Sequence, residues 1–467
     1  RNLCYSIKQI KFMFSSFLSK IKKNNKDFSF GLTEEIVRGI SKDKEEPDWM
    51  LGKRLEAFNL YKNTPMPNWG PDLSELKLKE IIYYVPSDLK EQNSWSEVPK
   101  EISDTFEKLG IPKAEREYLG GVGAQYDSGV VYHSIKDSLK KQGVIFENMD
   151  TAVKLYPDLV KKYFMTDCIK LNEHKFAMLH AATWSGGTFI YVPKGVKVKM
   201  PLQSYFRMNK EKGGQFEHTI IIADEGSFVE YIEGCSAPKY VYSSLHAGGV
   251  ELFVLKDAKI KYSSIENWSK NVYNLNTKKA LVYEKGEVEW LNGNTGGHST
   301  MLYPSSILLG EGARSESLGI AMAGRGQNQD VGSKVVHLAP NTSSVIKSKS
   351  IAKNGGISTY RGFVEIGKGA YNSKVVVACD TLLLDKDSKA LAIPVNKVSN
   401  KDVEISHEAK VGQLSDREIF YANLHAFDEY GAQRLIIGGF ASEVIKKLPL
   451  EYAVELNKLI DLEIEGM

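Results

Sequence analysis

The sequence predicts a mainly β core flanked by α-helical regions on its N-terminal and C-terminal sides. Beyond Gly186, short β-branched runs follow one another, and each is broken by a turn that contains Gly, Asp or Asn. The runs recur at roughly 25–32 residues, a period that suits a β-helix in which each coil buries its inner face against the next coil. Helical patterns occupy the segments before and after this block. A β-sandwich would give similar turn signals, so the pattern alone leaves that fold open.

The N-terminal region, residues 31–180, is predicted to be helical. Thr33 is suited to cap a helix, because its side-chain oxygen can accept a hydrogen bond from the free N–H groups of the first turn. Pro47 suits the start of a second helix. In that helix apolar residues recur at three- and four-residue steps and form one face: Trp49, Leu51, Leu55, Phe58 and Tyr61. Residues 63–100 contain several prolines and are predicted to be irregular.

The predicted β-helix core is residues 181–412, and the C-terminal region, residues 413–467, is predicted to be helical. The strand-like runs of the core are Thr219–Ala223, Val250–Leu255, Ala280–Tyr283, Ser305–Leu309, Val335–Leu338 and Lys374–Ala378. In the C-terminal region Ser415 and Glu418 match a capping box, and Pro449 is placed to begin a last helical segment.

Composition excludes several classes of function. With 61 basic and 58 acidic residues the net charge is only +3, so no global field draws the chain to nucleic acid. No stretch of about twenty apolar residues occurs, so we expect no membrane partner. The four cysteines form no CxxC pair, which argues against a disulfide framework and favours a reducing, cytoplasmic setting.

The first 30 residues form a basic extension, predicted to be disordered. Up to residue 26 this segment contains lysines but no Asp or Glu, a bias shared with organelle transit segments. The alternatives left open are a plastid-type organelle stroma as the location and a translated or cloned extension with no targeting role.

Two cysteines and one His–Glu pair are the candidate reactive groups. Cys235 follows a glycine at the end of a strand-like run, where a thiolate could accept and pass on sulfur. Cys379 ends the run Val375–Cys379, and His407 with Glu408 could supply nitrogen and oxygen ligands to iron. For each cysteine a buried hydrophobic role is the alternative. Because adjacent strand residues point to opposite faces, His407 and Glu408 need not share a site.

Polar residues at alternate strand positions indicate a second kind of site. Arg207 and Asn209 lie two residues apart, as do Gln215 and Glu217. Such residues normally form the wet face of a sheet, but on the inner face of a solenoid they would form a polar path. No GxxxxGK[ST] loop occurs, so any ATP-driven step requires a partner protein.

Several widely separated motifs resemble the SufB branch of the SufB/SufD family of iron–sulfur cluster assembly proteins. They are Glu46–Leu51, Gly187–Lys194, Tyr205–Asn209, Tyr231–Pro238, Glu266–Trp268, Thr277–Ala280 and His407–Ala409. The resemblance spans nearly the whole chain from about Thr33 to Gly466. It implies a right-handed parallel β-helix flanked by helices and a scaffold for cluster assembly, not an enzyme.

The resemblance also implies roles for individual residues. The position of Cys235 matches the acceptor of persulfide sulfur, and Cys379 and Glu408 match iron ligands of a transient iron–sulfur cluster, beside a functional histidine at His407. The implied interior sulfur path is Arg207, Asn209, Glu217, Glu266, Trp268 and Lys278. Glu266 stands where many relatives carry glutamine, which adds a negative charge to this path.

The implied partners are the SufC ATPase, docked on residues 413–467, and SufD or a second SufB. A cysteine desulfurase and a sulfur-shuttle protein would supply sulfur, apoproteins would receive the cluster, and a reduced flavin in the complex is a further expectation. Two alternatives remain open. One is a SufD-like structural subunit that positions the ATPase without handling sulfur. The other is a carbohydrate-acting β-helix enzyme, which the sequence disfavours because no acidic pair is evident.

Overall fold

The computed structural model describes residues 30–86, 91–108 and 111–448, together with residues 453, 456–458, 460 and 461. The predicted basic extension therefore lies outside the described residues apart from Phe30. Most of the segment predicted to begin at Pro449 also lies outside them. Within the described residues no helix is both long enough and apolar enough to cross a membrane.

Helices lie at both ends of the described chain. The N-terminal ones are α1 (Glu34–Asp43), α2 (Asp48–Asn63), α3 (Lys100–Lys108), α4 (Ile111–Glu117), α5 (Asp137–Lys140), α6 (Met149–Leu155), α7 (Pro157–Tyr163) and α8 (Lys175–Thr183), and the C-terminal ones are α9 (Asp416–Asn423) and α10 (Glu429–Ile445). The Thr33 side chain accepts a hydrogen bond from the Ile36 N–H group, which confirms the predicted cap. The predicted capping box of Ser415 and Glu418 is also confirmed.

Strands fill the middle of the chain. They are β1 (Gly121–Tyr126), β2 (Gly129–Ile135), β3 (Ile145–Asn148), β4 (Gly187–Val192), β5 (Leu202–Arg207), β6 (Gly214–Gln215), β7 (His218–Ala223), β8 (Phe228–Ser236), β9 (Ser244–His246), β10 (Gly249–Val254), β11 (Lys259–Trp268), β12 (Val272–Leu275), β13 (Thr277–Val282), β14 (Glu287–Gly296), β15 (Ser299–Leu302), β16 (Ser305–Leu308), β17 (Arg314–Ala323), β18 (Asn328–His337), β19 (Ser343–Ala352), β20 (Ile357–Ile366), β21 (Ser373–Leu383), β22 (Lys389–Val398) and β23 (Val403–Gln413).

The strands form a parallel β-helix of about eight turns, which confirms the predicted fold class. One sheet has the order β2-β1-β5-β8-β11-β14-β17-β19-β21-β23, and each strand from β1 onward pairs in parallel with the next. The second sheet contains the remaining strands, and the long β18 pairs with β15 through its first half and with β16 through its second. Parallel pairing between successive coils excludes the β-sandwich alternative, whose sheets are antiparallel.

The region predicted to be helical, residues 31–180, also contains the strands β1, β2 and β3. β1 pairs in parallel with β5, while β2 and β3 pair antiparallel with β1 and β4. These three strands therefore extend both sheets at their N-terminal end. Sequence analysis did not identify them, although β1 and β2 form a hairpin across Asp127 and Ser128 that a local pattern could have indicated, whereas the partner of β3 lies beyond α8.

The two sheets enclose one face of each strand and present the other face to the helices. Large side chains such as Tyr231, Tyr262 and Trp290 fill part of the interior. Alternate residues of the same strands face outward, where Ile232, Ile265, Leu291 and Leu318 pack against Ile437, Ala441 and Val444 of the C-terminal helix. Period-two alternation thus gives each strand an interior face and a helix-facing side.

A buried carboxyl joins the N-terminal region to the β-helix. Glu251 on β10 accepts hydrogen bonds from the backbone N–H groups of Met165 at 2.8 Å and Ile169 at 2.9 Å. It also lies 3.0 Å from Nε2 of His218, which in turn contacts His180 on α8. Burial raises the pKa of Glu251 to about 8.

The hydrogen bonds that run from Ala247 through His180 and His218 to Glu251 are consistent with a protonated Glu251. The Ala247 carbonyl oxygen can only accept, so Nδ1 of His180, 2.8 Å away, donates to it. Burial lowers the pKa of both imidazoles, to about 3 for His218, so each ring has a single N–H. Nε2 of His180 therefore accepts from Nδ1 of His218, and Nε2 of His218 accepts from the Glu251 hydroxyl. With Glu251 protonated, each of these hydrogen bonds has one donor and one acceptor.

Candidate functional site

Cys235 lies inside the β-helix, one residue before the end of β8. The residue is 1% exposed, and its side chain packs with Phe206, Trp268 and Val272. Backbone pairing aligns Cys235 with Phe206 on β5 and with Glu266 on β11. The thiol therefore faces a buried polar cluster, of which Glu266 is the member aligned with Cys235.

A lysine and two glutamates form the centre of this cluster. Nζ of Lys278 on β13 lies 3.0 Å from a carboxylate oxygen of Glu266 and 3.3 Å from one of Glu233. Glu266 also accepts hydrogen bonds from Nε1 of Trp268 at 3.3 Å and Nδ2 of Asn274 at 2.5 Å. Lys278, Glu266 and Glu233 are each at most 2% exposed, so these charges interact with little screening by water.

A second ion pair lies on the other side of the thiol. Nε2 of His246 hydrogen-bonds to a carboxylate oxygen of Glu217, and Nδ1 of His246 lies 2.7 Å from the side-chain oxygen of Asn274. Ligand atoms of Glu217, Cys235 and His246 all lie within 4.8 Å of one another. A thiolate, an imidazole and a carboxylate are together suited to bind a transition-metal ion.

The charges of the cluster come close to balance. Burial lowers the pKa of Lys278, but Glu266 and Glu233 outweigh it and raise the pKa. Burial likewise acts against ionisation of Glu266, but Lys278 and His246 outweigh it and lower the pKa of that carboxyl. For Glu233 burial prevails, and its pKa is raised. Glu266 is therefore the ionised partner of Lys278, and Glu233 is the carboxyl that most readily holds a proton.

The resting Cys235 thiol is protonated. Burial raises its pKa well above the usual range, and Glu233, Glu217 and Glu266 raise it further, while Lys278 opposes them. The thiolate needed for sulfur chemistry is thus formed only when a proton is removed or a positive charge approaches.

Cys379 lies in the same sheet as Cys235, five strand-to-strand steps away, which at about 4.8 Å per step is roughly 24 Å. It is 2% exposed, and burial, together with Asp380, raises its pKa to about 12. Pairing aligns His407 on β23 with Val377, two residues before Cys379, so His407 and Cys379 point to the same face.

Glu408 lies on the opposite face. It is aligned with Ala378, and its exposed carboxylate pairs with Lys410 at 3.2 Å. Nδ1 of His407 lies 2.9 Å from the side-chain oxygen of Asn396. The structure therefore brings His407 towards Cys379 and does not bring Glu408 to either.

Two inner rows of aligned residues connect the sites. One row runs from Glu233 through Ser264, Asn292, Gly319 and Ser348 to Cys379. The neighbouring row runs from Cys235 through Glu266, Asn294, Ala321 and Ser350 to Thr381. Every residue between the ends is small or polar, whereas the large aromatic side chains of the interior lie elsewhere on these strands.

Family models match most of the β-helix. The model described as "SUF system FeS cluster assembly, SufBD core domain" matches residues 206–440. The chain belongs to the SufBD family. A second model, "SufBD protein N-terminal region", matches residues 128–204. The function of the family is iron–sulfur cluster assembly in the SUF system.

Relatives in the SufBD family resemble this chain over nearly its whole length. Iron–sulfur cluster assembly SufBD family proteins from Staphylococcus haemolyticus and from Staphylococcus aureus strain MRSA252 are each 52% identical to it over 436 residues. Each match covers 93% of this chain and 94% of the relative. The shared name does not distinguish SufB from SufD.

Four of the six SufBD path residues expected from the sequence meet around Cys235, and two do not: Asn209, and Arg207, which is aligned with Ser236 and therefore lies on the opposite face of the sheet from Cys235. Arg207 is half-buried and donates from Nη1 to the Ser236 hydroxyl at 2.9 Å. Asn209 is exposed beyond the end of β5, where its backbone N–H donates to Asp127 at 2.6 Å. The Asn209 side chain therefore lies outside the buried cluster that holds Glu217, Glu266, Trp268 and Lys278.

Sequence reasoning missed three members of this SufBD cluster: Glu233, His246 and Asn274. Period two along β8 places Glu233 on the face of Cys235, and this signal could have identified it. His246 and Asn274 lie on the short strands β9 and β12, which meet β11 only through the coiling of the chain. No local pattern in the sequence identifies those two.

Proposed function

We propose that this chain is a SufB-type scaffold, which accepts sulfur at Cys235 and builds an iron–sulfur cluster at Cys379. The observation that supports this role is the pair of inner rows, because they connect the two cysteines by small or polar side chains across five strand-to-strand steps. A structural subunit would not need a polar interior, since buried polar groups cost free energy unless they are paired.

Sulfur acceptance is a thiol–persulfide exchange. The Cys235 thiolate attacks the outer sulfur of a donor persulfide, which forms the Cys235 persulfide and releases the donor as a thiolate. The proton that Cys235 loses is taken up by that leaving thiolate, so atoms and charge balance. Lys278 favours the thiolate, and the carboxylate of Glu217 lies close enough to pass the proton. A cysteine desulfurase and its sulfur shuttle would supply the donor.

The donor would approach over the segment that follows β8. This segment, residues 237–243, connects β8 to β9, and its Val241 and Tyr242 are exposed. Because Cys235 is buried beneath it, the segment has to move before a donor sulfur reaches the thiol.

Transfer towards Cys379 would use the inner rows once a two-electron reductant, for which the expected reduced flavin is the source, has cleaved the S–S bond of the Cys235 persulfide to give the Cys235 thiol and hydrogen sulfide. A Cβ atom on Gly319 would meet no heavy atom closer than the Asn292 carbonyl oxygen at 4.0 Å, so this position of the row is open. A cavity of about 20 Å³ borders Asn292, Gly319 and Ser348, enough for about one water molecule. Hydroxyl and amide groups there can hydrogen-bond to sulfur as it passes.

The cluster would form at the last coils. Iron and sulfide are substrates here, and a bound iron ion would displace the thiol proton of Cys379. His407 faces the same side and can add a nitrogen ligand. Glu408 would contribute from the outer face of β23, and SufD or a second copy of this chain would complete the site.

The C-terminal helices would dock the SufC ATPase. Exposed apolar side chains lie together on α9 and in the loop after it: Phe420, Tyr421, Leu424 and Phe427. Several large exposed apolar residues on one short helix are typical of a protein interface. ATP hydrolysis in the partner would then act on the β-helix through α10, which packs on its outer side.

Three cysteine variants test the proposal. Each is purified anaerobically with its partners and incubated with desulfurase, shuttle and cysteine, and the persulfide is located by mass spectrometry. We expect Cys235→Ser to lose the persulfide and Cys379→Ser to keep it, with neither forming a cluster. Cys168→Ser is the matched control, because Cys168 is buried outside both rows. Normal cluster yields in both Cys235→Ser and Cys379→Ser would overturn the role.

A SufD-like structural role is the second candidate. The observation that favours it is the burial of Cys235 and the raised pKa of its thiol, which make the resting group unreactive. If this role is correct, no persulfide appears on Cys235 of the wild-type chain, even in the assembled complex, while the ATPase still binds.

A further inference from the structure

Three side chains converge at the N-terminal end of the β-helix, where β2 lies three strand-to-strand steps before β8, the strand of Cys235. His133 lies on β2, Glu147 lies on β3, and Glu91 precedes Gln92, whose backbone hydrogen-bonds to β2 on both sides of Tyr132. One ligand atom of each side chain lies within 4.8 Å of the other two. The three groups therefore come from three separate segments and meet where the two sheets begin.

His133 is a buried imidazole with an unused nitrogen. The residue is 6% exposed, and its Nε2 atom has no hydrogen-bond partner among the described residues. Burial lowers its pKa to about 4, so the ring is neutral and a lone pair is available. A buried polar atom without a partner costs free energy, and such an atom in a native protein calls for an unseen ligand or water.

The two carboxyls lie close to each other, and Lys140, which lowers the pKa of Glu147, forms no ion pair with either within the described residues. Burial and, to a smaller extent, Glu147 raise the pKa of Glu91 to about 7, and burial also raises the pKa of Glu147. Asn148 donates a hydrogen bond to Glu91, but within the described part of the chain neither carboxyl forms an ion pair. A bound cation would relieve both their repulsion and the cost of burying them.

We propose that Glu91, His133 and Glu147 bind a divalent transition-metal ion. One imidazole nitrogen and two carboxylate oxygens suit Zn²⁺, Fe²⁺ or Mn²⁺, whereas Mg²⁺ and Ca²⁺ prefer oxygen ligands alone. Bonds of about 2.0–2.2 Å at tetrahedral angles place two ligand atoms of one ion about 3.3–3.6 Å apart. Side-chain movements of about an ångström would therefore close the site.

The ion would connect the segment that contains Glu91 to both sheets. His133 belongs to the first sheet and Glu147 to the second, so shared ligation would hold the first coil closed where neither sheet continues. This role is independent of sulfur handling at Cys235.

The test uses the full-length chain, purified anaerobically and stripped with a chelator. Its background is Cys235→Ser/Cys379→Ser, which removes the thiolates of the other candidate metal positions. Equilibrium dialysis with Zn²⁺, Mn²⁺, Fe²⁺ and Mg²⁺ separately measures the number of ions bound and their affinity. We expect one tight equivalent of at least one transition metal and none of Mg²⁺.

Three further variants locate the ion. His133→Gln should weaken binding by at least roughly 100-fold and Glu147→Gln by at least roughly tenfold. His298→Gln is the matched control, because His298 is half-buried and lies outside the cluster. Circular dichroism checks the fold of each, and the cobalt(II) form should show no thiolate charge-transfer band. Failure of the background to bind, unchanged binding by folded His133→Gln and Glu147→Gln, or equal binding of Mg²⁺ would each overturn the site.

Discussion

Glu233 and Cys379 occupy one row of aligned residues inside the β-helix, although five strand-to-strand steps separate them. The row passes through Ser264, Asn292, Gly319 and Ser348. Because aligned residues in parallel strands point the same way, their side chains share one interior face. A group released near Cys235 therefore meets no large apolar side chain within this row before it reaches Cys379.

Filling the row at Gly319 should separate sulfur acceptance from cluster assembly. We expect Gly319→Leu to keep the Cys235 persulfide and to reduce cluster yield by about tenfold or more, because the isobutyl group would occupy the open position. Overpacking should cost about 1–3 kcal/mol, leaving the chain folded. Persulfide by mass spectrometry and cluster by absorption measure the two steps.

Gly319→Ala is the control for this substitution, because a Cβ atom there has room. It should support near-normal cluster yields. If Gly319→Leu assembled clusters as well as Gly319→Ala, sulfur would have to travel by another route.

Removing the charge of Lys278 should strongly destabilise the chain. Lys278→Met leaves Glu266 and Glu233 buried without their cation, and breaking a buried ion pair costs about 3–5 kcal/mol. Denaturant unfolding measures the loss. Lys285→Met is the matched control and should change stability by no more than about 0.5 kcal/mol, because Lys285 is exposed. Equal losses from both variants would contradict the buried network.

His407 and Glu408 should differ in their effect on the cluster. We expect His407→Ala to lower the iron retained by the assembled scaffold more than Glu408→Ala does, because His407 shares a face with Cys379 and Glu408 does not. Iron and sulfide counts after anaerobic reconstitution measure the difference. A larger loss from Glu408→Ala would show that β23 rearranges when the partner binds.

Glu251 should make stability fall as pH rises. Its pKa is about 8 in the folded chain and near the ordinary 4.5 in the unfolded chain, so the folded state binds the proton more tightly. Stability is therefore highest below about pH 4.5 as far as this group is concerned and declines up to about pH 8. At about 1.4 kcal/mol per pKa unit the full loss approaches 5 kcal/mol.

Glu251→Gln should remove this dependence. The amide can donate to His218 and accept from the backbone of Ile169, but it leaves the Met165 N–H group without an acceptor, so the variant should be less stable overall while its stability no longer depends on this titration. Urea unfolding at pH values between 5 and 9 compares the two chains. Parallel curves for the variant and the wild type would mean that Glu251 is ionised in the folded state.

Local signals in the sequence predicted the helix caps and the coil period well. Thr33, Ser415 and Glu418 act through contacts three residues away, so their roles depend on neighbouring residues alone. The turns at Asp257 and Lys285 also have positive φ values, 55° and 53°, as breaks between strands require. The sequence also indicated that His407 and Glu408, as adjacent residues of a strand, would point to opposite faces. The structure confirms this.

Contacts between coils were not predictable in this way. His246 and Asn274 join the Cys235 cluster only because β9, β11 and β12 lie close together in space, and β3 is a strand because it pairs with β4 beyond α8. The partners of Glu91 and His133 likewise depend on which segments meet at the first coil. To predict such contacts, one has to know the order in which the strands pair, and no local pattern in the sequence gives that order.

Within the described chain, β22 and β23 each hydrogen-bond to a neighbouring strand on one side only. Since a solenoid is stabilised mainly by contacts between adjacent coils, its outermost turn opens with the smallest free energy and exchanges its amide hydrogens first. His407 lies on that turn, whereas Glu266 and Lys278 lie between coils that flank them on both sides. Iron would thus bind at the coil whose backbone opens most readily, whereas the strands that carry the ion pair beside Cys235 are held by a neighbouring strand on each side.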